Sequence, residues 1–133
     1  MIPGFLSTET VNQMKDSCSQ LISDFNPSDH PIQKFSTENQ ESIMGQYFLE
    51  SAEKISYFYE AGALDSDGQL LVQKDQAINK VGHGLHIHHA TFRDIAHSDR
   101  IKAIAHSLDF KKPCVLQSMI IYKVNLAFLV TYS

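Results

Sequence analysis

The 133-residue chain has no surplus of positive charge: 11 basic side chains stand against 15 acidic ones, for a formal net charge of −4. Its basic residues are scattered, with Lys111-Lys112 the one adjacent pair. That excludes nucleic acid and anionic membrane as principal partners, because both reward clustered Lys and Arg. Cysteine is nearly absent too. Cys18 and Cys114 lie far apart, form no CxxC pair and show no metal-ligand spacing, which excludes a disulfide-dense scaffold. Both read as reduced core thiols of a cytoplasmic protein. The N-terminus has no basic region followed by an apolar one, and the C-terminus carries no peroxisomal address. The apolar run from Cys114 to Tyr132 is broken by Gln117, Lys123 and Asn125, so it reads as buried strand and not as a membrane span. GxGxxG, Walker, HExxH and GxSxG patterns are missing as well.

What is present is an ordinary globular composition, 43% hydrophobic and 20% charged, with neither repeats nor low-complexity segments. The length suits one domain. Ser7 reads as a helix N-cap, with Glu9 in the first turn and Leu6 placed to pack on Val11. Val11, Met14, Cys18, Leu21, Ile22 and Phe25 then recur at spacings of three and four, the stripe of an amphipathic helix. Asn26 to Pro31 ends it, and the polar stretch 33–46 reads as irregular. Tyr47-Phe48-Leu49 and Ile55 to Tyr59 are aromatic-rich, and Asp65-Ser66-Asp67-Gly68 precedes Gln69 to Val72. Two short strands joined through that turn are expected. Gly82 and Gly84 argue against a regular helix over 77–89. Thr91–Ala96 reads as helical, and Ser98 with Asp99 caps a further helix whose Ile101, Ile104, Ala105 and Leu108 share a face. Cys114 to Tyr122 reads as a strand buried on both faces.

Five of seven histidines fall between His83 and His97: His83, His86, His88, His89 and His97. Imidazole is the commonest metal ligand, but a site also needs further ligands and outer partners. The alternative is that these rings cap helices, hydrogen-bond or lie at the surface, and the cluster is not assigned a metal. His97-Ser98-Asp99 has the H-x-D form of a facial triad for ferrous iron. It lies between two helical stretches, where Ser98 and Asp99 already serve as a cap, and is read as a helix boundary. Cys114 paired with a distant His would make a thiol dyad, yet its apolar setting favours an inert thiol.

Four blocks, in order, carry a resemblance: Pro3-Gly4-Phe5-Leu6-Ser7, Lys54 to Glu60, Ile78-Asn79-Lys80-Val81-Gly82-His83-Gly84-Leu85-His86, and Gln117-Ser118-Met119-Ile120-Ile121-Tyr122-Lys123. Together they resemble the N-terminal half of phytanoyl-CoA dioxygenase family proteins over residues 3–123. The Asn-Lys-Val-Gly-His and Gln-Ser-Met blocks are the most specific parts. The resemblance implies an α+β fold: a helical flank plus the first strands of a double-stranded β-helix (jelly-roll), incomplete within 1–133, with 124–133 a divergent tail. It implies an oxygenase dependent on Fe(II) and 2-oxoglutarate, which decarboxylates that small-molecule cosubstrate to succinate while hydroxylating a small or lipid-like substrate.

Carried over residue by residue, Lys80 would contact the cosubstrate and Met119 would lie beside the 2-oxoglutarate pocket; the bland alternative makes Lys80 a surface cation and Met119 ordinary core. After Lys123 the family pattern continues to an iron-binding H-x-D, a distal His and an Arg for the far carboxylate. This sequence reads Val124 to Ser133 instead, so no residue inherits those roles. The expectation is a shortened family member, inactive by itself. The competing readings are a non-catalytic fragment or interaction module that folds with a partner, and a histidine-cluster metal protein; separately, an unpaired strand edge is expected to favour self-association.

Overall fold

Ser7 opens the first helix as its sequence position suggests: the Thr10 N–H donates to the Ser7 hydroxyl at 3.1 Å, and α1 runs Thr8–Asp24. The computed structural model describes residues 2–30 and 46–122. After α1 come a 3₁₀ turn (Pro27–Asp29), α2 (Gln46–Glu50), a second 3₁₀ turn (Ser51–Glu53) and β1 (Ile55–Tyr59). Then follow α3 (Lys74–Ala77), β2 (Ile78–His83), α4 (Leu85–His88), α5 (Ala90–Ala96), α6 (Asp99–Ser107) and β3 (Ser118–Ile121). The architecture is α+β. Among the described residues no helix is long and apolar enough to cross a membrane.

The three strands form one antiparallel sheet in the order β1-β2-β3. Tyr57 pairs with Val81 and Val81 with Ile120, a row on the face packed against α1. Leu21, Ile22 and Phe25 of α1 meet Tyr57, Tyr59, Ile78, Val81, Leu85 and Phe92 there, with Met14, Cys18 and Ile120 half-buried at the margin. Each large side chain so buried contributes roughly 1.5–3 kcal/mol. Two tyrosine hydroxyls fasten helix to sheet: Tyr57 donates to the Leu21 carbonyl and Tyr122 to the Cys18 carbonyl, both at 3.1 Å.

Several expectations from the sequence are corrected. Tyr47-Phe48-Leu49 lies in helix α2, and β1 does not pair with Gln69 to Val72. Asp65 instead folds the intervening loop on itself, its carboxylate accepting from the Asp67 and Gln69 N–H groups at 2.9 and 2.8 Å. Leu64 and Leu70 share one isolated bridge, and Leu71 and Val72 stay exposed. Pairing β1 with β2 buries Ile78 and Val81 against α1, and that larger apolar burial decides the topology.

The strand expected over Cys114 to Tyr122 narrows to Ser118–Ile121, with alternate residues exposed. His83 is the last residue of β2 and already pairs with Ser118, after which the chain turns into α4. Cys114 to Gln117 therefore find no ladder partner on β2. Cys114 is exposed and not a core thiol, whereas Cys18 is half-buried with its thiol pKa pushed up, chiefly by burial. Most of the stretch read as irregular (33–45) and the tail (123–133) lie outside the described residues.

Candidate functional site

The sheet face turned away from α1 carries the two residues singled out from the sequence, Lys80 and Met119. Phe58 pairs with Lys80, Lys80 with Ile121, and Gly82 with Met119, so Lys80 and Met119 are diagonal neighbours on one face, about 7–8 Å apart in such geometry. Lys80 is only 4% exposed, and burial lowers its pKa to about 8. Met119 is 39% exposed. The alternative of a surface lysine and a core methionine is thus inverted. An ammonium on the middle strand of a sheet is shielded from water by its neighbours, and a carboxylate brought there would be attracted more strongly than at an open surface.

Local backbone explains the arrangement. Gly82 lets β2 and β3 approach: a Cβ there would fall 2.9 Å from the Met119 Cβ and 3.3 Å from the Ser118 carbonyl oxygen. The Lys80 ammonium stands over the Phe58 ring, 4.6 Å from its centroid. Strand alternation would send His83 to the side of Val81, but His83 has φ 68°, a left-handed conformation uncommon outside glycine. Its ring therefore comes to lie 5.3 Å from Phe58. The His83 Nδ1 and the hydroxyl of fully buried Ser51 share a hydrogen bond of 2.5 Å. Burial first, and the Lys80 charge second, bring the His83 pKa down to about 4. The imidazole is neutral at physiological pH.

The His86 and His97 rings lie with centroids 6.3 Å apart, but the histidines do not gather further. Among the described residues no three His, Cys, Asp or Glu side chains are grouped to hold a metal ion. His86 is buried, its Nδ1 2.8 Å from the Ser118 hydroxyl, which also accepts from the His86 N–H at 2.9 Å. The exposed His88 bonds through Nε2 to the Glu53 carbonyl at 2.7 Å, and His89 packs on Phe92 with ring centroids 5.0 Å apart. His97 terminates α5, Ser98 caps α6 by accepting from the Ile101 N–H, and Asp99 is exposed beside Lys102 at 3.2 Å. The H-x-D tripeptide is a helix boundary. Among the described residues these donors are not grouped to hold a ferrous ion.

Of the residues singled out from sequence, Lys80 and Met119 come together on one face, whereas His88, His89 and His97 lie apart from it. Phe58, Ser51 and the outward turn of His83 had no sequence signal beyond a histidine at a strand end.

No family model matches the chain. The chain is 37% identical over 124 residues to the phytanoyl-CoA dioxygenase domain-containing protein 1 homolog of Caenorhabditis elegans, an alignment covering 92% of this chain and 43% of the relative. It is 35% identical over 127 residues to phytanoyl-CoA dioxygenase domain-containing protein 1 of Mus musculus, covering 92% and 44%. With the phytanoyl-CoA dioxygenase of Arabidopsis thaliana it shares 39% identity over 123 residues, covering 92% and 43%. The chain spans less than half the length of these relatives. Over nine-tenths of its residues the chain is a homologue of proteins named phytanoyl-CoA dioxygenase and phytanoyl-CoA dioxygenase domain-containing protein 1.

Proposed function

We propose that this chain forms the cosubstrate-facing part of an Fe(II)- and 2-oxoglutarate-dependent dioxygenase. In this reading β1–β3 are the first strands of a double-stranded β-helix, and 1–133 is one partial domain of which 3–123 is the family portion. The observation that carries it is the buried Lys80 ammonium beside the half-exposed Met119. Lys80 would attract a carboxylate of 2-oxoglutarate, and Met119 would form an apolar wall for its short carbon chain. The names of the relatives support a dioxygenase; the reaction proposed is hydroxylation of a small or lipid-like molecule coupled to decarboxylation of 2-oxoglutarate to succinate. The iron is assigned to no residue here, because the described donors do not converge, and the 133-residue polypeptide alone is expected to be inactive.

Two measurements test this. Titration of 2-oxoglutarate into methyl-labelled protein should shift the Met119 methyl signal saturably, with affinity at least about tenfold weaker in Lys80→Met. A Met119 signal that does not move, or equal affinity in the variant, sinks the reading of the site. Incubation with 2-oxoglutarate, Fe(II) and O₂ should give no succinate, and turnover by the 133-residue chain would overturn the inactivity.

A further inference from the structure

Four buried side chains, on and beside the sheet face turned away from α1, form a relay. Ser51 contributes a buried hydroxyl from the 3₁₀ turn before β1; that hydroxyl is bonded to His83 Nδ1. The His83 ring is tilted 54° against Phe58, and Phe58 carries the Lys80 ammonium on its face. The last two are register partners across β1 and β2. His83 reaches Phe58 because its backbone is left-handed at the end of β2. A flexible lysine chain has many rotamers and loses them reluctantly. An aromatic face that is itself wedged in one orientation selects among them.

We propose that Phe58 and His83 are positioning residues for Lys80: the imidazole, held by Ser51 and by its own backbone, fixes the Phe58 ring, and the ring holds the ammonium where an incoming carboxylate meets it beside Met119. The chemical purpose rests on the reading of Lys80 as a carboxylate-binding group; the geometry does not. A neutral imidazole suits the task, since a second cation at this distance would repel Lys80.

The full chain with ¹³C-labelled lysine tests it without a ligand. An ammonium over an aromatic face shows its adjacent CH₂ resonance displaced upfield by the ring. Phe58→Leu should abolish that displacement and Phe58→Tyr should keep it. His83→Asn removes the imidazole while tolerating the left-handed backbone, and should at least halve the displacement; Ser51→Ala should reduce it less. In the same variants the affinity for 2-oxoglutarate should fall roughly three- to tenfold, the size of a lost cation–π contact. Full displacement in a folded His83→Asn chain would overturn the proposal, as would its persistence in Phe58→Leu. If the displacement behaves as expected but Lys80→Met leaves 2-oxoglutarate binding intact, the cosubstrate reading fails and the positioning relay stands.

Discussion

Lys80 and Phe58 face each other across β1 and β2, with the ammonium 4.6 Å from the ring centroid. The charge is thereby kept in a poorly solvated place, and its pKa falls from 10.5 to about 8 through burial. Between those two values the unfolded chain binds more protons at this residue than the folded one, so stability rises with pH across that window. The contribution is complete above 10.5 and gone below about 8, and its upper limit is about 3 kcal/mol. Urea melts between pH 7.5 and 9.5 should show the rise in the native chain, with Lys80→Met lacking it. A native-minus-variant difference that is flat in pH would contradict the burial of Lys80.

His83 gives the matching acid-side expectation. Its pKa lies near 4 instead of 6.5, first because the ring is buried and then because Lys80 is close. The unfolded chain takes up a proton below 6.5 that the folded chain resists. Stability from this group is therefore full above 6.5 and lost as pH falls toward 4, again by up to about 3 kcal/mol. Melting curves at pH 7, 5.5 and 4.5 should fall more steeply for the native chain than for His83→Asn. Parallel curves would show a ring that titrates normally.

Gly82→Ala tests the close approach of β2 and β3. The added methyl would sit 2.9 Å from the Met119 Cβ, an atom fixed to the backbone of the paired strand. The sheet must open to admit it, at about 1–3 kcal/mol. Denaturant titration should register the loss, and the Met119 methyl signal should shift even without ligand. Native stability in the variant would mean that the strands are not so closely paired.

The parts legible in the sequence are those specified locally. Ser7 and the three-four stripe give α1, Ser98 gives the start of α6, and the β-branched and aromatic run gives β1, because caps and periodicity act within a few residues. The partner of β1 was not legible. Eighteen residues separate Tyr59 from Ile78, and the choice between Leu71-Val72 and Ile78–Val81 is made by which side chains α1 can cover. A run as apolar as Cys114 to Leu116 reads as buried, yet Leu116 is 82% exposed because β2 has already ended opposite Ser118. Lys80 and Met119 stand out by family resemblance and not by pattern. His83 joined the site through a backbone angle, and no side-chain pattern encodes it.

The two outer edges of the sheet differ. Along β1, the Tyr57 N–H donates to the Tyr47 hydroxyl at 3.1 Å, and that hydroxyl donates to the Tyr57 carbonyl at 3.3 Å. One side chain thus occupies both backbone groups of Tyr57, in the middle of the edge that an added strand would use. Among the described residues β3 pairs on one side only, and its Met119 and Ile121 are exposed. A short apolar edge with no partner strand among the described residues is a template for another copy of itself. Self-association of the 133-residue chain through β3 is expected, with a shallow melting transition from partly assembled protein. Ile121→Lys should suppress it by placing a charge on the edge, and Tyr47→Phe should worsen it by freeing the other edge. Sedimentation velocity over roughly 5 to 200 μM, the range in which exposed edges associate, provides the measurement. A native chain that stays monomeric throughout and melts sharply would show that β3 is not an open edge in solution.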